Sequence, residues 1–156
     1  MGGEAVTNYE DANRGRFQNE SYAKQLISFD GMLFEGKSGI TNVTPTDIDG
    51  LVHLSKENCI IFFELKHSGG MPGGQREALE KLNDAVMAGK TNTILFLATH
   101  NTPKDQTVIA KDALVQGCYW GGKWRKFAEP TTLYEAMDRY IQWLRKGLNR
   151  KKGKQG

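Results

Sequence analysis

The chain has 156 residues, of which 38% are hydrophobic and 10% aromatic. This length and apolar content fit one folded domain and exclude a largely disordered chain. No apolar run approaches the roughly 20 residues that cross a bilayer, which excludes a membrane-spanning protein, and the first residues lack the pattern of a secretory signal. We therefore expect a cytoplasmic protein with no membrane partner.

The charge of the chain is distributed unevenly. The net charge is +3, but the segment from Arg139 onward holds seven basic residues and no acidic one. The rest of the chain has 14 basic and 18 acidic residues, a charge of −4. A basic tail suggests a polyanionic partner, because Lys and Arg displace counterions from phosphates. We expect Arg150, Lys151 and Lys152 to contact nucleic acid, although a merely solvated tail would have the same composition.

The pattern along the chain predicts three segments: a flexible leader over residues 1–13, one α/β domain over 14–147, and a basic tail over 148–156. Apolar residues at helical spacing predict a first helix from Phe17 to Phe29, followed by a short strand at 32–34. Cys59 and Cys118 each lie singly in an apolar stretch, which is typical of reduced cysteines in a core.

The middle of the domain is predicted to hold a β-hairpin, with strands at 48–54 and 59–65 and a polar turn at 55–58. Leu79, Leu82 and Val86 predict a helix over about 75–88. The continuous apolar run 93–99 predicts a strand that is covered on both faces. A second hairpin follows over 113–127, and a last helix begins near 131–132. The predicted fold class is α/β, with a mixed β-sheet flanked by α-helices.

Four charged residues converge at the open end of the first hairpin. Side chains alternate along a strand, so Asp47 and Asp49 share one face, as do Glu64 and Lys66. A turn centred between residues 56 and 57 places residues whose numbers sum to 113 opposite one another. In that register Asp49 faces Glu64, and Asp47 faces Lys66.

Opposed carboxylates destabilise a hairpin unless a cation lies between them. Mg²⁺ prefers hard oxygen ligands and typically binds one or two carboxylates together with substrate phosphate. A nearby ammonium such as that of Lys66 suits orienting an attacking water and stabilising charge on a phosphoryl group. The pattern therefore favours hydrolysis of a phosphodiester. The aspartates have an alternative interpretation as capping residues of the turn around Gly50, and Glu64 and Lys66 as a surface ion pair.

Residues 45–50 (PTDIDG) and 63–66 (FELK) resemble the signature of the PD-(D/E)XK nuclease superfamily, which has the restriction-endonuclease-like fold. The segment 14–20 (RGRFQNE) is similar to the opening helix of archaeal-type Holliday junction resolvases, and small phage nucleases also resemble this chain. The resemblance implies that Glu20, on the first helix, adds a metal ligand, and that Gln75 is a catalytic residue. Thr46 precedes Asp47 where the family pattern has proline, so two aspartates compete for one metal-binding place. We favour Asp49, which faces Glu64.

The resemblance implies a DNA endonuclease that depends on Mg or Mn and cleaves branched or junction DNA, as in DNA recombination. Asp49, Glu64, Lys66 and Gln75 would be catalytic, and Asp49, Glu64, Asp47 and Glu20 would be the metal ligands. A junction-cleaving enzyme needs two active sites, which makes a homodimer possible. The alternatives are a linear-end or restriction-like phage nuclease and a non-catalytic nucleic-acid-binding module.

The second hairpin combines tryptophans with basic residues. Lys123, Arg125 and Lys126 alternate with or follow Trp124, and Trp120 lies before the turn. These side chains suit stacking on unpaired bases and holding phosphates, so we predict that the three basic residues bind nucleic acid. The tryptophans have a second interpretation, which we favour, as packing against the last helix.

Overall fold

The computed structural model describes residues 47–152 of the chain, without the side chains of residues 150–152. The predicted leader, the first helix with Glu20 and the strand at 32–34 lie outside the described residues. Within the described range, no helix combines the length and apolar character needed to cross a membrane.

Within residues 47–152, five strands form one mixed sheet in chain order, so that this part of the chain has a mixed α/β fold. Strands β2 and β3 are parallel, and the other neighbouring pairs are antiparallel. Of the helices in the described part of the chain, two pack on the sheet, one on each face. The elements are β1 (Gly50–Leu54), β2 (Cys59–Lys66), α1 (Gly73–Ala88), β3 (Asn92–Thr99), a 3₁₀ turn (Ala110–Asp112), β4 (Leu114–Trp120), β5 (Lys123–Arg125) and α2 (Leu133–Lys152).

The register of the first hairpin agrees with the prediction. Leu54 pairs with Cys59 and Gly50 with Phe63, so opposed residue numbers sum to 113. Asn58 completes the turn with a φ of 46°, a left-handed conformation that asparagine tolerates. Its side chain donates a hydrogen bond to the Lys90 carbonyl at 3.0 Å, which ties the turn to the start of β3. Because side chains alternate, this register decides which residues of β1 share a face with each residue of β2.

Helix α1 connects the parallel strands β2 and β3, as a parallel pair requires a crossover. It packs on the sheet face formed by Phe62, Leu95 and Tyr119, which we call the α1 face. The other face carries Ile61, Phe96 and Val115 and packs against α2, and we call it the α2 face. Strand β3 is thus buried on both sides, as its apolar run predicted.

The buried stripe of α1 differs from the predicted one. Leu79 is buried, but Leu82 is 38% exposed and Asn83 is completely buried. The helical intervals from Leu79 reach either residue, and the rotation of α1 on the sheet buries Asn83. Its Oδ1 accepts a hydrogen bond from the Thr93 hydroxyl at 2.8 Å, while its Nδ2 is buried without a partner in the described range. Leu82, although it is part of the apolar repeat that predicted this helix, therefore lies outside the core.

Both cysteines are free and buried, which confirms their prediction as core residues. Burial raises the pKa of the Cys59 thiol to about 11. The thiol is therefore protonated at neutral pH, which suits a packing role.

Helix α2 continues to Lys152, so that residues 148–152 of the predicted tail are helical. An ion pair joins this helix to the first hairpin: Arg145 Nε lies 2.7 Å from Glu57 Oε1. The Glu57 side chain is only 8% exposed. The Arg145 guanidinium, through this hydrogen bond, lowers the pKa of the Glu57 carboxyl below its ordinary 4.5.

Replacing Arg145 by glutamine should destabilise the protein at neutral pH and have little effect in acid. A carboxyl with a lowered pKa in the folded state stabilises that state above its ordinary pKa, and the contribution disappears as the pH falls through the lowered value. Urea unfolding at about pH 7 and about pH 3 should therefore show the difference between wild type and variant closing in acid. Lys146→Gln, at the next position, is the control. A difference that persists at low pH would contradict this role of the ion pair.

Candidate active site

Glu64 and Lys66 lie at the end of β2, both on the α1 face of the sheet. The alternation that directs Ile61 and Phe63 towards α2 directs Phe62, Glu64 and Lys66 towards α1. Helix α1 begins at Gly73, after the glycine-rich loop that follows β2, and Gln75 is in its first turn. The crossover therefore returns Gln75 to the end of the strand that precedes it.

The three side chains form one hydrogen-bonded group. Lys66 Nζ lies 2.6 Å from Glu64 Oε1 and donates a hydrogen bond to Gln75 Oε1 at 2.9 Å. Gln75 Nε2 donates to Glu64 Oε1 at 2.7 Å. The amide of Gln75 thus bridges the ammonium and the carboxylate, and each side chain restrains the other two.

The second oxygen of Glu64 is the unusual feature of this group. Glu64 is 1% exposed, and within residues 47–152 its Oε2 is buried without a hydrogen-bond partner. A buried carboxylate oxygen that lacks a donor costs free energy, because it has lost its water and gained nothing in exchange. Such an atom is suited to binding a cation.

Asp49 lies just before β1, in the register position opposite Glu64. Its Oδ2 accepts a hydrogen bond from the Leu65 backbone N–H at 2.7 Å, and the residue is exposed. The hydrogen bond holds this carboxylate against the end of β2. Asp47 is exposed at the beginning of the described range, two residues further from the hairpin. Glu20 lies outside the described residues.

The donors fit a hard divalent cation in part. Glu64 Oε2 has no partner in the described range, and Asp49 is held at the same end of the hairpin. Together they supply two carboxylates, and Mg²⁺ typically takes one or two from a protein. Between residues 47 and 152 there is no cluster of three or more Asp, Glu, His or Cys side chains that would make a complete cage. The fit is therefore to a cation whose remaining ligands are water and substrate phosphate.

The basic residues of the second hairpin do not form one cluster. Lys123 and Arg125 share the α2 face of the strand, where the Arg125 guanidinium lies over the Trp120 ring at 4.8 Å from its centroid. Lys126 is exposed just after β5. Arg150, Lys151 and Lys152 are in the last turn of α2, and their side chains lie outside the described part.

The two tryptophans have different surroundings. Trp120 packs edge to face on Trp143 of α2, with ring centroids 5.6 Å apart, which confirms packing against the last helix. For Trp124 that prediction is wrong: its ring packs on Tyr119 and under the Arg76 guanidinium, and its Nε1 donates to Glu80 of α1. Tyr119 and Arg76 occupy the ring, so Trp124 does not offer a free face for stacking on a base. Strand alternation explains the difference, because Trp124 points to the opposite face from Arg125.

The sequence interpretation did not include Arg76. It directly follows Gln75, and its Nε donates to Glu80 Oε1 at 2.8 Å, four residues along the same helix. The Arg-to-Glu spacing of four was a visible signal of this pair. Its contact with Trp124 depends on the tertiary structure.

No family model, curated protein or solved structure matches this chain.

If this group is the nuclease site that the sequence predicts, replacing Gln75 by alanine should lower the cleavage rate by about 10–100-fold, the usual effect of removing a partner that orients a ligand. The variant removes the bridge between Lys66 and Glu64 without removing either charge. In that predicted site Gln75 would be a positioning residue, so we expect the concentration of Mg²⁺ that gives half-maximal rate to rise as well. A metal titration of the cleavage rate measures both effects, and Gln142→Ala on α2 is the control. An unchanged metal dependence would contradict the positioning role.

Proposed function

We propose that this protein is a metal-dependent DNA nuclease that hydrolyses phosphodiester bonds at the Glu64–Lys66–Gln75 group. The observation that carries the proposal is the buried carboxylate of Glu64, which shares one oxygen between Lys66 and Gln75 and leaves the other without a partner. A surface ion pair would not require this burial. A carboxylate retained in the sheet at such a cost is typical of a group with a ligand.

The topology around the group supports the resemblance to the PD-(D/E)XK superfamily. Asp49 lies before β1, Glu64 and Lys66 are on the antiparallel partner β2, and α1 then leads to the parallel strand β3. This order of elements places the acidic and lysine positions on adjacent strands, with a helix and strand following. The finer assignment to a restriction-endonuclease-like fold is part of the proposal.

Glu64 and Asp49 would hold a Mg²⁺ or Mn²⁺ ion. When bound, such an ion supplies Lewis-acid stabilisation of the phosphate and lowers the pKa of water. Lys66 donates to Glu64 and to Gln75, which uses two of the three donors of its ammonium group. Its side chain is 24% exposed, so the third N–H is directed to orient a water molecule or to neutralise charge on a phosphate oxygen. Gln75 hydrogen-bonds to both the ammonium of Lys66 and the carboxylate of Glu64 and so fixes their relative positions.

Branched or junction DNA is the proposed substrate class, with a two-fold homodimer to supply two cuts. The alternative is linear DNA, as for a restriction-like or end-directed nuclease. Both substrates would use the same group of residues, and they differ in the surface around it.

The test is cleavage of labelled four-way, flayed and linear duplex DNA by the full chain, with Mg²⁺, Mn²⁺ or EDTA. We expect cutting that requires the metal and is fastest on the four-way substrate. Faster cutting of linear DNA would instead identify a restriction-like or end-directed nuclease. DNA binding that weakens steeply with salt, without cutting under any metal, would overturn the nuclease and favour a binding module.

A further inference from the structure

We propose that a cleft on the α1 face, beside the Glu64–Lys66–Gln75 group, binds the backbone phosphates that neighbour the one being cut, with Arg76 and Lys126 as its phosphate-binding residues. This inference rests on the proposed nuclease function and specifies how the same site holds its substrate. The cleft has a volume of about 360 Å³.

The cleft adjoins the active-site group through the sheet and through α1. Leu97 contributes to its lining and is the β3 partner of Glu64 in the parallel pair. Arg76, on the side of α1, directly follows Gln75. The glycine-rich loop after Lys66 contributes Gly70 and Met71. A DNA strand with one phosphate at Glu64 would therefore continue over the residues that line the cleft.

Arg76 is held in place before any ligand arrives. Its guanidinium lies over the Trp124 ring, 5.0 Å from the centroid, while its Nε donates to Glu80. Among the described residues, its two terminal amino groups make no hydrogen bond, and the side chain is 51% exposed. A planar guanidinium fixed on one side and open on the other is suited to binding phosphate oxygens with two parallel N–H donors.

The charges that face the cleft leave it positive. Arg76 and Trp124 both donate to the Glu80 carboxylate and thereby lower the pKa of Glu80, so Glu80 is ionised and offsets one positive charge. Lys126 lines the cleft and forms no ion pair with another described residue. Arg125 contributes to the lining, but its guanidinium lies over Trp120 on the opposite face of the strand. The cations available to a ligand are therefore Arg76 and Lys126.

Gly117 contributes main chain without a side chain to the lining of the cleft. A Cβ atom at this position would lie 2.8 Å from the Arg125 carbonyl oxygen, so the backbones of β4 and the end of β5 approach too closely for a side chain. The lining thus combines this main chain and the aliphatic side chain of Leu97 with the cations Arg76 and Lys126. This distribution suits a sugar–phosphate backbone, which presents charge on its outside.

The test is the salt dependence of DNA binding by the full chain in EDTA, where no cleavage interferes, measured by fluorescence anisotropy on a labelled linear duplex. Arg76→Met and Lys126→Met should each reduce the slope of log affinity against log salt by about one, the effect of one lost phosphate contact. Lys81→Met, on the outer side of α1 with a 75% exposed side chain, is the matched control and should leave the slope unchanged. The Lys126 variant removes no described hydrogen bond, so we expect it to fold. It therefore tests the phosphate site even if the Arg76 variant is destabilised.

The outcomes separate this inference from the proposed function. Unchanged slopes in both variants would overturn the phosphate site, even if the wild type cuts DNA with Mg²⁺. Reduced slopes support the phosphate site even if no cutting is found, in which case only the nuclease assignment fails. As a check of position, a neutral methylphosphonate next to the cut should weaken binding by the wild type and by Lys81→Met, and have no further effect on Arg76→Met. Equal weakening of all three would overturn the placement beside the cut.

Discussion

Replacing Glu64 by glutamine should lower the rate of metal-dependent DNA cleavage by about 10²–10³-fold, the scale of loss when one preorganised group that stabilises a transition state is removed. Glutamine has nearly the same shape, and its carbonyl oxygen can still accept from Lys66 and Gln75 in the positions of Oε1. The amide nitrogen then replaces Oε2, the oxygen without a partner. The variant therefore removes the cation-binding atom while keeping the hydrogen-bonded group.

Two measurements check this prediction: the initial rate of cleavage in Mg²⁺, and the midpoint of thermal unfolding as Mg²⁺ or Ca²⁺ is added. A ligand that binds only the folded state raises that midpoint, so the wild type should be stabilised and the Glu64→Gln variant should not. Glu77→Gln, on α1 with a 66% exposed side chain, is the control. A Glu64→Gln variant that folds, binds metal and cuts as the wild type does would refute the assignment of the site.

Replacing either of two adjacent residues of β3 should destabilise the protein severely. Leu95→Ala should cost about 2–5 kcal/mol and Phe96→Ala about 3–5 kcal/mol, since each removes a buried side chain and leaves a cavity. Leu95 is completely buried on the α1 face, and Phe96, 1% exposed, is buried on the α2 face. Large losses at consecutive positions are expected only where both faces of a strand are covered.

Denaturant unfolding at neutral pH measures these differences, and Leu82→Ala is the control. Leu82 belongs to the apolar repeat of α1 but is 38% exposed, so its truncation should cost less than about 1 kcal/mol. A large loss at Leu82 together with a small one at Leu95 would mean that α1 packs on the sheet through a different stripe from the one described.

The candidate site illustrates which contacts a local pattern can predict. Alternation and the length of the turn place Glu64 and Lys66 on one face with Asp49 opposite, and the structure has that register. Both depend on a few consecutive residues and on a short turn. The catalytic roles of these residues stay a prediction, and so does the cation.

The partners that come from elsewhere in the chain were harder to predict. Arg145 pairs with Glu57 across 88 residues, and Trp124 contacts Glu80 across 44. Periodicity shows that a residue points out of a helix or strand, but it does not show which element lies there. The alternation of β5 could be read from the sequence, whereas the presence of α1 opposite Trp124 depends on the path of the crossover.

Within the described residues, the sequence by itself determined the strands, the helices that follow them, the hairpin register and the double burial of β3, because each depends on side-chain period and turn length over a short stretch. Only the tertiary structure decided that Asn83 rather than Leu82 is buried, and that Gln75 bridges Lys66 and Glu64. It also decided that the Arg76 guanidinium lies over the Trp124 ring. These contacts depend on how α1 is rotated and seated on the sheet. That placement minimises the free energy of the whole packed face, including a hydrogen bond from Thr93 that no local pattern contains.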